Sequence, residues 1–241
     1  MRLYGELADW YTLLTPLSEY AEEAEAHLAL LQAELGPGRH HLLELGASAG
    51  HVAWHLRGAF ALTLTDLSPA MAELARATCP EAEVLVGDMR TMRLDRRFDA
   101  VFLHDAVSYI IGEADLAAVF ETAAAHLRPG GLFVVMPDYV TETFAPEEES
   151  GGSDGEGRAL RYLAWAWRRD GESDRYVVDY ALMTRVGDGP TEVHTDRHEE
   201  GLFPRATWLR LLDAAGFDAQ ARTRHDDWAA RDLDVFVARR R

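Results

Sequence analysis

The chain reads as an α/β protein: a mostly parallel sheet of seven strands with helices on both faces, plus an antiparallel lid inserted over one end. Three observations predict this. Short apolar runs alternate with helical stretches at short intervals through residue 136. These runs are nearly continuous in apolar residues, as strands covered on both faces must be. Beyond them, residues 159–199 switch to alternating polar and apolar positions.

The elements follow in order. Tyr20, Ala24, His27, Leu28 and Leu31 repeat at helical spacing over 19–34, and Gly36-Pro37-Gly38 stops that helix. Residues 41–45 form a first strand, the turn Gly46 to Gly50 a tight connection, and a helix runs to about Leu56. A strand over 61–65 leads to Ser68-Pro69, a serine cap with proline in the first turn of a helix reaching Thr78. Strands are expected over 83–86, 98–103 and 132–136, with a helix over 115–127 before the last. Residues 145–157, with Glu147-Glu148-Glu149 and Gly151-Gly152, read as an exposed loop. Gly187-Asp188-Gly189-Pro190 reads as the hairpin turn of the insertion. A helix over 206–215 and strands over 217–224 and 233–238 close the count of seven.

The totals restrict function. The 241 residues are 48% hydrophobic, enough for one compact domain with an elaborated lid. There are 24 basic and 41 acidic residues, a formal charge of −17, and the tight basic run is Arg239-Arg240-Arg241. Such a chain repels phosphate backbones and anionic lipid, so neither nucleic acid nor membrane is expected as a partner. The opening Met1-Arg2-Leu3-Tyr4-Gly5-Glu6 has no basic start leading into an apolar core, so no signal peptide is expected. Cys79 is the single cysteine, which fits a reducing, cytoplasmic setting and predicts no metal centre built on thiols.

Three strand ends carry the chemistry. Small residues in Glu44-Leu45-Gly46-Ala47-Ser48-Ala49-Gly50 let backbone approach a ligand, and the following helix offers free amides. The glycine spacing differs from the dinucleotide pattern, and no lysine is present to grip a triphosphate. Asp66 ends the second strand, where a carboxylate can accept both hydroxyls of a ribose. Asp88 follows the third strand, placed to bond an exocyclic amine, with Met89 beside it to cover a ring.

With these stretches, together with Asp66-Leu67-Ser68-Pro69-Ala70-Met71, Phe98-Asp99-Ala100-Val101 and Leu127-Arg128-Pro129-Gly130-Gly131, the chain resembles the class I S-adenosyl-methionine-dependent methyltransferases from about residue 40 to 240. The resemblance implies a Rossmann-like sheet and S-adenosyl-L-methionine as donor, leaving S-adenosyl-L-homocysteine. It implies that Glu44 meets or orients the amino end of the donor and that Gly46, Ala47, Ser48 and Gly50 wrap it. Asp66 would hold the ribose, Leu67 and Met71 flank the adenine, and Asp88 and Met89 complete its pocket. His104 would turn its backbone towards the methionine moiety. The family usually has glycine where this chain has Ser48.

Two further segments, Leu103 to Ile110 and Asp196 to Arg205, look like the small-molecule branch that includes the N,N-dimethyltransferases of amino sugars. An active-site histidine of that branch can stand where this chain has Tyr109. Tyr4, Trp10, Tyr11 and Tyr20 resemble the branch's aromatic N-terminal segment, which closes over the site. The expected catalytic residues are Tyr109, to orient the acceptor, and His198 or Asp105, to accept or relay a proton. The expected organisation is a helical cap over 1–35, a cofactor-binding core over 36–138 and 201–241, and a substrate lid over 139–200. The expected partner is a small-molecule substrate, an amine such as an amino sugar, and the branch leaves room for a homodimer. O-methylation of a small hydroxyl or carboxylate compound, and a non-catalytic cofactor-binding protein, are the competing readings.

Overall fold

A computed structural model describes residues 1–226 and 231–241. Five parallel strands form its frame: β1 (His40–Leu45), β2 (Phe60–Asp66), β3 (Glu83–Val86), β4 (Phe98–His104) and β5 (Leu127–Met136). They are extended by β11 (Phe217–Asp226) and β12 (Arg231–Arg240), with β12 antiparallel to both of its neighbours. The order is β11-β12-β5-β4-β1-β2-β3. Strand order therefore reverses between β1 and β4, and open α/β sheets bind ligands outside the carboxyl ends of strands at such a point.

Neighbouring residues along each strand serve opposite faces. Leu43, Val101, Phe133 and Phe236 pack against Val119 and Phe120 of α5 (Glu113–His126) and Trp208 and Leu212 of α6 (Arg205–Ala214). Leu42, Phe102, Val134 and Val237, each one residue away, pack on the other face against α2 (Ala21–Leu35), α3 (His51–Leu56) and α4 (Pro69–Thr78). The Ser68 hydroxyl accepts the Met71 amide at the start of α4, as its serine-proline signature predicts.

The insertion is a second, five-stranded sheet. It comprises β6 (Glu147–Gly151), β7 (Asp154–Gly155), β8 (Arg158–Trp167), β9 (Arg175–Val186) and β10 (Glu192–Gly201), all in antiparallel pairs. Here the structure corrects one expectation. The stretch read as a loop over 145–157 contains β6 and β7, because its backbone pairs with β8. Glu147, Glu148 and Glu149 stay solvent-exposed on that edge strand, where charge discourages further pairing.

The N-terminal segment, including α1 (Tyr11–Leu14), lies between the two sheets. Leu3, Leu7, Tyr11 and Leu14 are buried together with Met71 of α4 and Leu160 and Leu182 of the lid. A second contact fixes the lid near β4. A Cβ on Gly201 would lie 2.0 Å from the Ile110 carbonyl oxygen and 2.8 Å from the Phe203 ring. That approach brings the end of β10 against the Ala106–Tyr109 turn. Gly201→Ala is expected to cost about 1–3 kcal/mol, the usual range for overpacking a rigid contact. Denaturant unfolding checks it; an unchanged midpoint would show that the two segments separate freely.

Candidate active site

The carboxyl ends of β1, β2 and β4 converge. The β1 turn bends sharply: Gly46, Ser48 and Gly50 have φ of 68°, 50° and 76°. Gly46 has no room for a side chain, since its Cβ would lie 2.3 Å from Cβ of Ala106. The turn therefore seats directly on the residues after β4. Asp66 fastens it from the other side. Its carboxylate accepts the Ser48 amide at 2.8 Å and the Ser68 amide at 2.8 Å. Burial pushes its pKa up, opposed by those amides.

Glu44 lies beneath the turn, 4% exposed, and its Oε2 has no hydrogen-bond partner among the described residues. Burial pushes its pKa up to about 8, which the nearby His104 opposes and Asp66 reinforces. Leu67 stands beside Asp66 at 63% exposure, an apolar side chain held open at the crevice. Met71 is fully buried under the N-terminal segment, with the Ser48 hydroxyl 3.5 Å from its sulfur. Ala47 is buried in the same layer. Asp88 is bound by Arg90, whose Nε and Nη2 both donate to it at 2.7 to 3.1 Å. These bonds hold its carboxyl below the usual range. Met89 lies beside Gly46, its methyl carbon 3.6 Å from where a Cβ would be.

The side chain of His104 reaches α2. Its Nε2 lies 2.9 Å from Glu23 of α2 and 2.9 Å from Asp105. Burial opposes its charge, but the Asp105 and Glu23 carboxylates raise its pKa well above the usual value. Asp105 itself has φ of 51°, uncommon for a residue with a side chain. Its carbonyl accepts the Ser108 amide at 2.7 Å and so starts the turn that delivers Tyr109.

Tyr109 meets the lid. Its hydroxyl is 2.7 Å from the Tyr4 hydroxyl and 3.0 Å from Nδ1 of His198. On the far side of the ring, His198 Nε2 lies 3.0 Å from Asp196, which also accepts the Leu3 amide at 2.8 Å. An acceptor on Nε2 favours the tautomer with its proton there, leaving Nδ1 to receive the Tyr109 hydroxyl. Burial lowers the His198 pKa, against the pull of Asp196. Burial also raises the Tyr109 pKa well above 10, with Tyr4 and Glu200 adding to it.

The strand period explains this assembly. Asp196, His198 and Glu200 alternate along β10 and share its inner face, whereas Arg197 and Glu199 between them are exposed. Glu200 is 4% exposed and accepts the Tyr176 hydroxyl. Burial pushes its pKa up to about 7, held down by Tyr176 and raised by Asp105. Asp138 lies just past β5, and its amide donates to the Ser108 hydroxyl at 3.0 Å. Burial, then the charges of Asp105 and Glu200, lift its carboxyl well above the usual range. The charges of Asp105 and Glu200 reach Asp138, that of Asp105 reaches Glu200 and that of Glu200 reaches Tyr109, so these groups share one neighbourhood. Asp138, Asp196 and Glu200 were absent from the sequence-derived set. The alternation in Asp196-Arg197-His198-Glu199-Glu200 was the available signal for two of them.

Comparison with known proteins bears on the fold and the family. Residues 42–131 match a family described as a methyltransferase domain. The chain is 33% identical over 220 residues to the dTDP-3-amino-3,6-dideoxy-alpha-D-glucopyranose N,N-dimethyltransferase of Streptomyces fradiae, covering 90% of this chain and 85% of that one. It is 32% identical over 201 residues to the dTDP-3-amino-3,4,6-trideoxy-alpha-D-glucopyranose N,N-dimethyltransferase of Streptomyces venezuelae, covering 82% and 83%. The structure matches Streptomyces venezuelae DesVI with a TM-score of 0.82 at 27% identity, covering 95% and 97%. It also matches S-adenosyl-methionine-bound CalS10, an amino pentose methyltransferase from Micromonospora echinaspora, with a TM-score of 0.77 at 25% identity and 92% of each chain. Relatives alike over nearly their whole length place this chain in the S-adenosyl-methionine-dependent methyltransferase family, beside the sugar N,N-dimethyltransferases.

Proposed function

We propose that this methyltransferase methylates the amino group of a nucleotide-linked amino sugar, in two successive transfers. The observation that carries this reading is the cluster of carboxyl groups of Asp105, Asp138 and Glu200 close to Tyr109, whose hydroxyl meets His198. Acidic groups there favour a sugar ammonium over a carboxylate acceptor. The relatives named for dTDP-amino sugars support the same substrate class.

The residues of the crevice fit the donor. The buried, unpartnered Oε2 of Glu44 suits the donor's ammonium, the Asp66 carboxylate a ribose diol, and exposed Leu67 an apolar ring. The bound donor supplies a methyl group already activated by its positively charged sulfur. The protein's part is alignment and proton handling. The acceptor nitrogen must lose its ammonium proton before its lone pair can attack. Glu200, near its midpoint at neutral pH, takes that proton. Tyr109 then accepts an N–H of the neutral amine and holds it on line. As the new N–C bond forms and the C–S bond breaks towards sulfur, the nitrogen becomes a methylammonium, and one of its N–H protons passes through the Tyr109 hydroxyl to His198 Nδ1, leaving a neutral methylated amine. Asp196 stabilises the resulting imidazolium. Asp105 contributes negative charge to the cluster.

Tyr109→Phe is expected to lower kcat at least tenfold, a modest share of a general acid–base effect. The donor's Kd should stay within about twofold, since the phenol sits on the acceptor side. Unchanged turnover would remove the relay. In a panel of aminosugar nucleotides and their hydroxyl analogues, two methyl groups should appear per amine. Faster labelling of the hydroxyl analogues would overturn the amine assignment.

The donor site predicts a proton release. Glu44 is largely protonated at pH 7, and its carboxylate must form to pair with an ammonium, so binding should strengthen as pH rises towards 8. Calorimetry of S-adenosyl-L-homocysteine binding at pH 7, in buffers of different ionisation enthalpy, should show a proton released to buffer. Glu44→Gln should abolish that release and weaken binding about tenfold or more. Equal release by both proteins would place the proton elsewhere.

A further inference from the structure

We propose that Glu23, His27 and His104 form a binding site for a zinc ion that pins helix α2 to the end of β4. Glu23 and His27 are one turn apart on the same face of α2. His104 is the last residue of β4. The Glu23 Oε1 atom lies 3.7 Å from His27 Nε2 and 2.9 Å from His104 Nε2. One ligand atom from each residue falls within 4.8 Å of the others. Tetrahedral zinc with bonds of about 2.0–2.1 Å sets its ligand atoms about 3.3 Å apart, so a small closure of this triangle receives the ion.

The second observation is His27 itself. It is 1% exposed, and neither ring nitrogen has a hydrogen-bond partner in the structure. A buried polar ring left unsatisfied is costly. Its position is nevertheless well fixed, with ring centroids 4.7 Å from His104 and 5.3 Å from Phe102. Zinc coordination gives Nε2 the partner it lacks. Two imidazoles and a carboxylate are a ligand set zinc commonly takes. A water molecule completes the four-coordinate shell, which leaves the Asp105 carboxylate, 2.9 Å from the same His104 nitrogen, outside it. Without the ion, a proton on His104 Nε2 lies between Glu23 and Asp105; the ion replaces it. Burial disfavours positive charge at His27, and His104 and Arg224 add to this; the Glu23 carboxylate opposes them. None of this depends on which acceptor is methylated.

The test uses the full chain, stripped with a chelator and titrated with zinc chloride alone. One equivalent should bind with micromolar affinity or tighter and raise the melting temperature. Cobalt(II) in its place should show the visible absorption of a four-coordinate site. His27→Gln should weaken binding at least tenfold, while His41→Gln, at an exposed histidine, should leave it unchanged. Should His27→Gln fail to fold, Glu23→Gln on the half-buried edge of the cluster carries the same expectation. Absence of stoichiometric uptake by folded wild-type protein would overturn the site. Uptake unaltered by both cluster substitutions would do the same.

Discussion

One carboxylate organises the donor crevice. Asp66 accepts amides from Ser48 and Ser68, and so ties the turn after β1 to the turn after β2. Each bond joins a charged acceptor to a backbone donor in a half-buried place, where such bonds are strongest. The turn could not otherwise hold three left-handed residues in five positions. With the turn fixed, Glu44 remains beneath it, with one oxygen lacking a partner. The floor of the site is thus rigid before any ligand arrives, which reduces the ordering cost of binding.

The roof is built on a different principle. β10 delivers Asp196, His198 and Glu200 through strand alternation alone, and its position depends on contact with the N-terminal segment. Asp196 joins the two parts, since it accepts the Leu3 amide as well as facing His198. Tyr4 brings the same segment to Tyr109. Loosening residues 1–14 would therefore release both the relay and the lid.

The sheet was legible in the sequence because its strands are buried on both faces and leave continuous apolar runs. Most of their bounds lie within about two residues of those expected, as with β3 at Glu83–Val86, whereas β5 begins at Leu127 rather than at 132, because Leu127 already pairs with Phe98 of β4. The strand within 145–157 was not legible. Glu147-Glu148-Glu149-Ser150-Gly151 has poor strand composition, and pairing with β8 overrides it. The site was legible in part. Asp66, Tyr109 and His198 stand at strand ends or in a conspicuous segment. Asp138 and Glu200 sit among ordinary residues, and only the meeting of two separate sheets makes them neighbours. The tie from His104 to α2 was equally hidden, since Glu23 and His27 look like any pair on an amphipathic helix.

Ser48 shows how this chain departs from its family without losing the turn. Its φ of 50° is left-handed, a conformation that costs a residue with a side chain about 1–2 kcal/mol. The residue's contribution to the crevice is its amide, which any amino acid supplies. The hydroxyl turns to the Met71 sulfur, away from Asp66, so the side chain is absorbed by the packing beneath the cap. Met71 in turn is buried against the N-terminal segment. The substitution therefore adds a contact between the donor turn and the layer that closes over it. A glycine would have no side chain to reach Met71; serine links the turn to that layer, and this packing offsets part of the modest backbone strain at residue 48.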